Sequence, residues 1–219
     1  MAQIAEDLLL LLLDNESGQP CLPRSQLGRV MAAALLLDLA HDCRVRPAVP
    51  GDAAQPGHLV ALAGPVPLDP AVRPALALLE RGPLTADAAI TRLRKHAEDD
   101  VLDQLLRSGQ IHQIQLSSHR LRRNSYAWPM HDRRRIDGIR GAVTAALFGG
   151  MPPQPATAAT IALLHTIGGL GAVLNIDENA LGQAAHRAGE ITFGAWGHRS
   201  AVGDVNLAVT AAAVLPALG

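Results

Sequence analysis

Two apolar runs separated by a polar turn dominate the first forty residues of the chain. An acidic pair precedes an unbroken leucine run over 8–13, and a second apolar run over 31–40 is interrupted only by Asp38. Because leucines cover every face of the first run, it predicts a helix over 5–13 that other helices enclose. The second run predicts a helix over 25–41.

The middle of the chain shows strand and helix patterns in turn. Segments 43–49 and 58–63 are β-prone and flank two Pro-Gly turns, which predicts a hairpin. Apolar spacing and capping residues predict further helices, in chain order: one ending near Gly82, 86–94 with Thr85 as N-cap, 98–107 closed by Gly109, 136–148, 179–188 and 205–215.

Alternating apolar and polar residues predict a second hairpin in the middle of the chain. Its strands fall in 111–116 and 126–128, and a polar, basic turn over 119–124 forms its tip. The tip contains one apolar residue, Leu121, among arginines.

The longest nearly uncharged stretch is 157–174, and it predicts the central buried helix. A bilayer-spanning helix needs about 20 apolar residues, and this stretch is shorter. The leucine run near the N-terminus lacks the basic region and cleavage site of a signal peptide. We therefore expect no transmembrane segment and a cytoplasmic location, with contact at the inner face of the membrane.

Composition supports a mainly helical fold. Apolar residues make up 48% of the 219 residues but aromatic residues only 2%, so Leu, Ala and Val must form the core. Leu and Ala favour helices because they lose little side-chain entropy there. The length suits one domain over 1–219, and the two cysteines fit a reducing compartment.

Charge is concentrated locally, since the formal net charge is only −1. Seven arginines lie between 120 and 140, opposed by Asp132 and Asp137. Arginine side chains suit phosphate groups. Two interpretations stay open: an anion-binding surface, or a solvated face with internal ion pairs.

Other functional classes are weakly indicated. The helix–helix–hairpin order over 85–128 is that of a winged helix, but four acids between 98 and 103 would repel DNA phosphates. The nine histidines show no zinc spacing, and no serine sits in a nucleophile elbow. We expect no nucleic-acid partner, no catalytic or metal-binding residues and no cofactor.

Several segments, in order, resemble the Golgi phosphoprotein 3 (GPP34) family. They are the leucine-rich first helix with its polar turn, Leu36-Leu37-Asp38-Leu39-Ala40 leading to Arg44-Val45, 101–109, the hairpin ending at Trp128-Pro129, and 161–174. The alanine- and arginine-rich composition is typical of a bacterial member. The resemblance implies a single-domain helical bundle around a central hydrophobic helix, with a protruding β-hairpin that contacts membranes and self-associates.

The resemblance also implies a lipid-binding function. Eukaryotic members bind phosphatidylinositol 4-phosphate through an aromatic residue and three arginines, which align near Pro23 and on Ala32, Lys95 and Glu98. Lys95 keeps the charge, whereas Glu98 would repel phosphate.

Neighbouring cations are candidates to compensate for the missing arginines. The predicted lipid- or phosphate-binding residues are Arg24, Arg29, Arg92 and Lys95, with Arg94 nearby; the predicted membrane or oligomer residues of the hairpin are Arg120, Leu121, Arg122 and Arg123. The predicted function is non-enzymatic, peripheral binding of phosphoinositide or another anionic lipid headgroup. The alternative is a soluble adaptor that acts through protein contacts.

Overall fold

The two apolar runs at the start of the chain form two helices at the centre of the structure. A computed structural model describes residues 3–67, 69–117, 125–194 and 201–219. In it, α1 spans Gln3–Leu12 and α2 spans Arg24–His41. The leucines of α1 are at most 2% exposed, which confirms the prediction of an enclosed helix.

The helix α2 occupies the centre of the fold. It is buried on every face from Val30 to Ala40. It packs against α1, α4 (Ala86–Leu93), α5 (Ala97–Arg107) and α10 (Val202–Val214). Such burial favours apolar residues, and the Ala- and Leu-rich sequence of α2 provides them at every position of this range except Asp38.

The stretch predicted as one central helix over 157–174 is in fact two helices. α7 spans Pro155–Thr166 and α8 spans Leu170–Leu174. Gly168 between them has φ +67°, a left-handed conformation that glycine adopts readily. Ile161 and Leu164 are fully buried as predicted, but Ile167, which follows the last residue of α7, and Leu174, the last residue of α8, are only half-buried.

A small antiparallel sheet packs beside α2. β1 (Val45–Pro47) pairs with β2 (His58–Ala61), which confirms the first predicted hairpin. A third strand, β3 (Leu84–Thr85), pairs with the other side of β2. It was not predicted because two residues are too few to show a strand pattern.

The remaining helices follow the predictions closely. Their bounds are α3 Arg73–Glu80, α6 Arg134–Phe148 and α9 Glu178–Phe193, with short 3-10 helices at Pro70–Val72 and Leu215–Leu218. The hydroxyl of Thr85 accepts a hydrogen bond from the Ala88 backbone at 3.3 Å, as expected of an N-cap. Gly109 follows α5 with φ +68°, as predicted.

The second predicted hairpin is also present. β4 (Ile114–Ser117) pairs with β5 (Ser125–Ala127). The Trp128 backbone N–H donates to the Gly18 carbonyl at 2.7 Å, which ties the base of the hairpin to the turn after α1. The tip over 118–124 lies outside the described residues, and the four predicted residues Arg120, Leu121, Arg122 and Arg123 lie there with it.

The last long helix packs on the C-terminal end of α2. The Asn206 side-chain amide in α10 donates to the backbone carbonyls of Ala40 and Val45 at 2.6 and 2.7 Å. A Cβ on Gly203 would lie 2.4 Å from the His41 carbonyl, so glycine is required for this close approach.

One continuous buried cluster includes residues of α1, α2, the three-stranded sheet and α3 through α10. Within the described parts of the chain, no helix is both long and apolar enough to cross a bilayer. The fold is thus mainly α-helical, with small antiparallel sheets.

Candidate functional site

Three cations converge where the start of α2 meets the turn between α4 and α5. Arg24 and Ser25 open α2, Arg94 and Lys95 follow the end of α4, and Glu98 lies in the first turn of α5. These five residues line a shallow cavity of about 360 Å³, here called the basic cleft. With three cations and one carboxylate, its charges favour an anion.

A glycine on α2 brings the two sides of the basic cleft together. A Cβ built on Gly28 would lie 2.3 Å from the Arg94 carbonyl oxygen. A real side chain cannot approach backbone so closely, so the end of α4 packs directly on α2 only because residue 28 is glycine. This contact places Arg94 and Lys95 beside Arg24, which lies one helical turn before Gly28 on α2.

The start of α2 adds a favourable backbone field. Pro23 is the N-cap residue, and it makes no side-chain hydrogen bond to the first turn. The helix has 18 residues, so the positive end of its dipole lies at the basic cleft. Backbone N–H groups at such a position suit a phosphate or carboxylate.

Glu98 is the acidic exception in the basic cleft. Its side chain is only 13% exposed, and its Oε2 lies 3.9 Å from Nε of Arg24. Burial raises the pKa of Glu98, and the nearby Asp99 carboxylate raises it further, although the Arg24 guanidinium opposes the shift. The charged form of Glu98 is therefore already disfavoured without a ligand, and a phosphate in the basic cleft would repel it further.

The structure brings together two of the four predicted headgroup residues. Arg24 and Lys95 both line the basic cleft. Arg29 does not: its guanidinium donates to the Ala217 carbonyl and lies 3.7 Å from the Asp87 carboxylate. Arg92 is exposed on α4 and is not among the lining residues.

Helix rotation explains why Arg29 points elsewhere. It lies five residues after Arg24, which is about 140° around a helix with 3.6 residues per turn.

Ala32, aligned with an arginine of the family, is fully buried in α2, so no side chain there reaches the cleft. Ser25 was missed, although its position beside Arg24 in a helical first turn was a usable signal.

A second cavity adjoins the basic cleft between α2, α5 and the second hairpin. Its volume is about 540 Å³, and it is here called the aromatic groove. Leu27, Leu102 and Leu106 contribute apolar surface, and the rings of Tyr126 and Trp128 lie beside each other with centroids 6.4 Å apart. Its acidic lining residues are Glu98, Asp99 and Asp103. Arg24 and Glu98 line both cavities.

Three of the four described arginines of the cluster, Arg134, Arg135 and Arg140, make side-chain contacts within the protein. Arg135 binds Glu6 and Asp7, each at 2.7 Å, beside a polar cavity of about 570 Å³. Arg134 pairs with Asp132 at 2.7 Å, and Arg140 lies against the side chain of Asn15. For Arg134 and Arg135 the structure supports the ion-pair interpretation over an anion-binding surface.

Burial disfavours the charged forms of the two carboxyl groups that bind Arg135. It raises the pKa values of Glu6 and Asp7, although the hydrogen bonds from Arg135 oppose this shift. Beside that cavity, the negative charges of Glu6 and Asp7 are therefore balanced by Arg135. The basic cleft, in contrast, has more cations than anions.

Comparison with known proteins gives one family. The profile of the Golgi phosphoprotein 3 (GPP34) family matches residues 4–211, and a search of curated proteins found no match. The match covers nearly the whole chain, from α1 into α10, and the chain belongs to this family.

Proposed function

We propose that this member of the Golgi phosphoprotein 3 family is a non-enzymatic peripheral membrane protein that binds the phosphate of lipid headgroups in the basic cleft. The observation that carries the proposal is the convergence of Arg24, Arg94 and Lys95 on one cavity at the start of α2. Membership of the family supports it. A bacterial member would meet anionic glycerophospholipids, and phosphatidylinositol 4-phosphate is one candidate among anionic lipids.

The basic cleft is suited to recognise the negative charge of a headgroup rather than its shape. The Arg24 side chain is 67% exposed, and Pro23 has no aromatic ring where the family has one. A basic residue near an anionic bilayer contributes about 1 kcal/mol, and exposed charges are screened beyond a Debye length of about 10 Å at 0.1 M salt. We expect binding that falls steeply with salt and discriminates weakly among anionic headgroups.

The test is co-sedimentation with vesicles of phosphatidylglycerol or of phosphatidylinositol 4-phosphate in a neutral carrier lipid. Reversing two charges of the cleft, Arg24→Glu with Lys95→Glu, should weaken binding at least about ten-fold. The matched control is Arg92→Glu, which reverses an exposed charge on the adjoining helix but outside the cleft, and should change binding little.

Two results would contradict the proposal. Tight binding of phosphatidylinositol 4-phosphate that ignores salt would mean a headgroup site built differently from the basic cleft. Absence of binding to either vesicle at low salt would exclude lipid phosphate as the ligand.

A second candidate function is an adaptor that works through protein contacts. The observation that favours it is an exposed apolar stripe along one face of α10: Val202 is 79% exposed, Val209 53% and Val205 46%. Soluble domains rarely expose such a cluster unless something covers it. Val205→Lys with Val209→Lys should then change the mass of the protein in solution while leaving vesicle binding as it was.

A further inference from the structure

Glu98 is poorly explained by a ligand that carries only phosphate. It is mostly buried, lies 3.9 Å from Arg24, and lines the basic cleft beside three cations. A carboxylate there weakens an anion site. The same side chain also lines the aromatic groove, where its negative charge would attract a bound cation.

The aromatic groove has the chemistry of a site for an organic cation. Two electron-rich rings, Tyr126 and Trp128, lie 6.4 Å apart at an angle of 45°. Ring faces attract ammonium groups, most strongly when the cation is partly removed from water. Leucine surface from Leu27, Leu102 and Leu106 removes water, and the carboxylates of Asp99 and Asp103 supply the opposite charge.

The two cavities are neighbours rather than separate sites. They share Arg24 and Glu98, so one ligand can place an anionic group in the first cavity and a cationic group in the second. The groove volume of about 540 Å³ is in the range of small-molecule sites. Arg24 would then turn to the anion and Glu98 to the cation.

We propose that the ligand of the basic cleft is a dipolar headgroup, a phosphodiester joined to an ammonium, with the ammonium seated between Tyr126, Trp128 and the carboxylates of the aromatic groove. This inference rests on the proposed function and specifies its ligand class. Phosphoethanolamine and phosphocholine headgroups have this chemistry, and the ligand is the headgroup of a membrane lipid.

The test compares soluble ligands by calorimetry on the whole protein. Glycerophosphoethanolamine carries both groups, glycerol phosphate is used as its methyl ester, a phosphodiester that lacks the ammonium, and ethanolamine lacks the phosphate. We expect the first to bind about ten-fold more tightly than the second, the size of one partly desolvated cation–aromatic contact, and ethanolamine to bind most weakly.

Variants of the aromatic groove should remove this preference alone. Asp103→Asn and Tyr126→Leu change residues that line the groove but not the basic cleft. Each should bring glycerophosphoethanolamine to the affinity of glycerol phosphate, while glycerol phosphate binds as before. Asp100→Asn, on the same helix but outside the groove lining, is the matched control and should keep the preference. Thermal melts of all variants check folding.

Vesicle binding then shows whether the dipolar ligand is a lipid headgroup or a free phosphodiester. Phosphatidylglycerol vesicles containing phosphatidylethanolamine should bind the protein more tightly than vesicles containing the same fraction of diacylglycerol. If the soluble headgroup shows the preference but the vesicles do not, the ligand is a free phosphodiester and the assignment to a lipid is overturned.

The outcomes separate this inference from the proposed function. Equal affinity for glycerophosphoethanolamine and glycerol phosphate overturns the dipolar ligand and leaves phosphate binding intact. Loss of all phosphate and vesicle binding overturns both. A lysine-rich peptide that binds more tightly than any headgroup, with the same loss in Asp103→Asn, assigns the groove to a protein partner and also overturns the inference.

Discussion

Asp38 holds the start of α1 through hydrogen bonds that cross between two helices. Its carboxylate is 1% exposed and accepts from the backbone N–H groups of Ile4 and Ala5 at 2.9 and 3.0 Å. The first N–H groups of a helix lack partners within the helix, so this side chain of α2 caps α1. It also explains why one acid interrupts the otherwise apolar run over 31–40.

Replacing Asp38 with Asn should destabilise the protein by about 1–3 kcal/mol. The amide has one acceptor oxygen, so its NH₂ group faces a backbone donor and leaves that donor unpaired. Urea unfolding of the two proteins at neutral pH measures the difference. Asp137→Asn, which changes an exposed acid of α6 outside this cap, is the control and should cost much less.

The same pair of proteins tests the titration of Asp38. Burial raises the pKa of Asp38 well above its ordinary value, although the two backbone hydrogen bonds oppose this. A carboxyl with a raised pKa in the folded state stabilises most below its unfolded pKa, and this contribution is lost as pH rises through the folded value. The gap between wild type and Asp38→Asn should therefore narrow as pH rises above about 4. A widening gap would mean that the hydrogen bonds outweigh burial.

Gly28→Ala should connect packing to ligand binding. The added Cβ would lie 2.3 Å from the Arg94 carbonyl, so the turn that carries Arg94 and Lys95 must move away from α2. We expect a loss of about 1–3 kcal/mol in stability, as for overpacking elsewhere, and weaker vesicle binding. Gly138→Ala is the control, because a Cβ there has open space. Unchanged vesicle binding by Gly28→Ala would show that the basic cleft does not depend on this contact.

At the scale of elements, the sequence predicts most helices because their signals are local. The leucine run over 8–13 and the Thr85 cap specify their helices without help from distant residues. The break at Gly168 was not predicted because the stretch is apolar on both sides of its glycines. An isolated glycine in a helical pattern is tolerated at a cost of about 1 kcal/mol, so glycine alone does not fix where a helix ends. In the structure the chain breaks there and α8 packs against α9.

Leu164→Ala tests the helix before that break. Leu164 is fully buried in α7, which packs against α1, α9 and α10. A cavity at such a position should cost about 2–5 kcal/mol, measured by urea unfolding. Leu174→Ala, half-buried in α8, should cost clearly less. Equal losses would mean that α8 is as firmly packed as α7.

The candidate site was predictable only in part, and for geometric reasons. The resemblance aligned a cation at Lys95, and Arg24 was chosen as a cation close to the aligned positions; both line the basic cleft. Arg29 and Arg92 do not line it, because their direction depends on helix rotation and on where α4 ends, at Leu93. Phosphate binding by any of these residues stays a prediction. The aromatic groove was not predicted, since its rings and carboxylates are brought together only when the second hairpin packs near α5.

At the scale of the whole molecule, the second hairpin is the element through which we expect contact with other surfaces. Its tip carries Arg120, Leu121, Arg122 and Arg123, and a charge in the centre of a bilayer costs at least about 2.5 kcal/mol. The tip should therefore rest on headgroups or on an acidic protein surface. Changing the three arginines to Glu should abolish this contact, while stability stays within about 0.5 kcal/mol.

Vesicle binding, mass in solution and a thermal melt of this triple variant measure the three effects. The control is Arg81→Glu with Arg92→Glu, which changes charge on exposed positions away from the hairpin. Unchanged binding and mass would make the hairpin a bystander, and a collapsed melt would make its arginines structural.

The bond from Asn206 has a consequence for the order in which the protein forms. The carbonyls of Ala40 and Val45 receive their amide partner from a residue more than 160 positions later. Contacts between such distant positions form late, because closing a long loop precedes any gain from the contact. On the ribosome, the C-terminal end of α2 therefore stays uncovered until α10 has been made. A stall in synthesis between these helices would leave this end of α2, which is buried in the finished fold, open to aggregation or to chaperones.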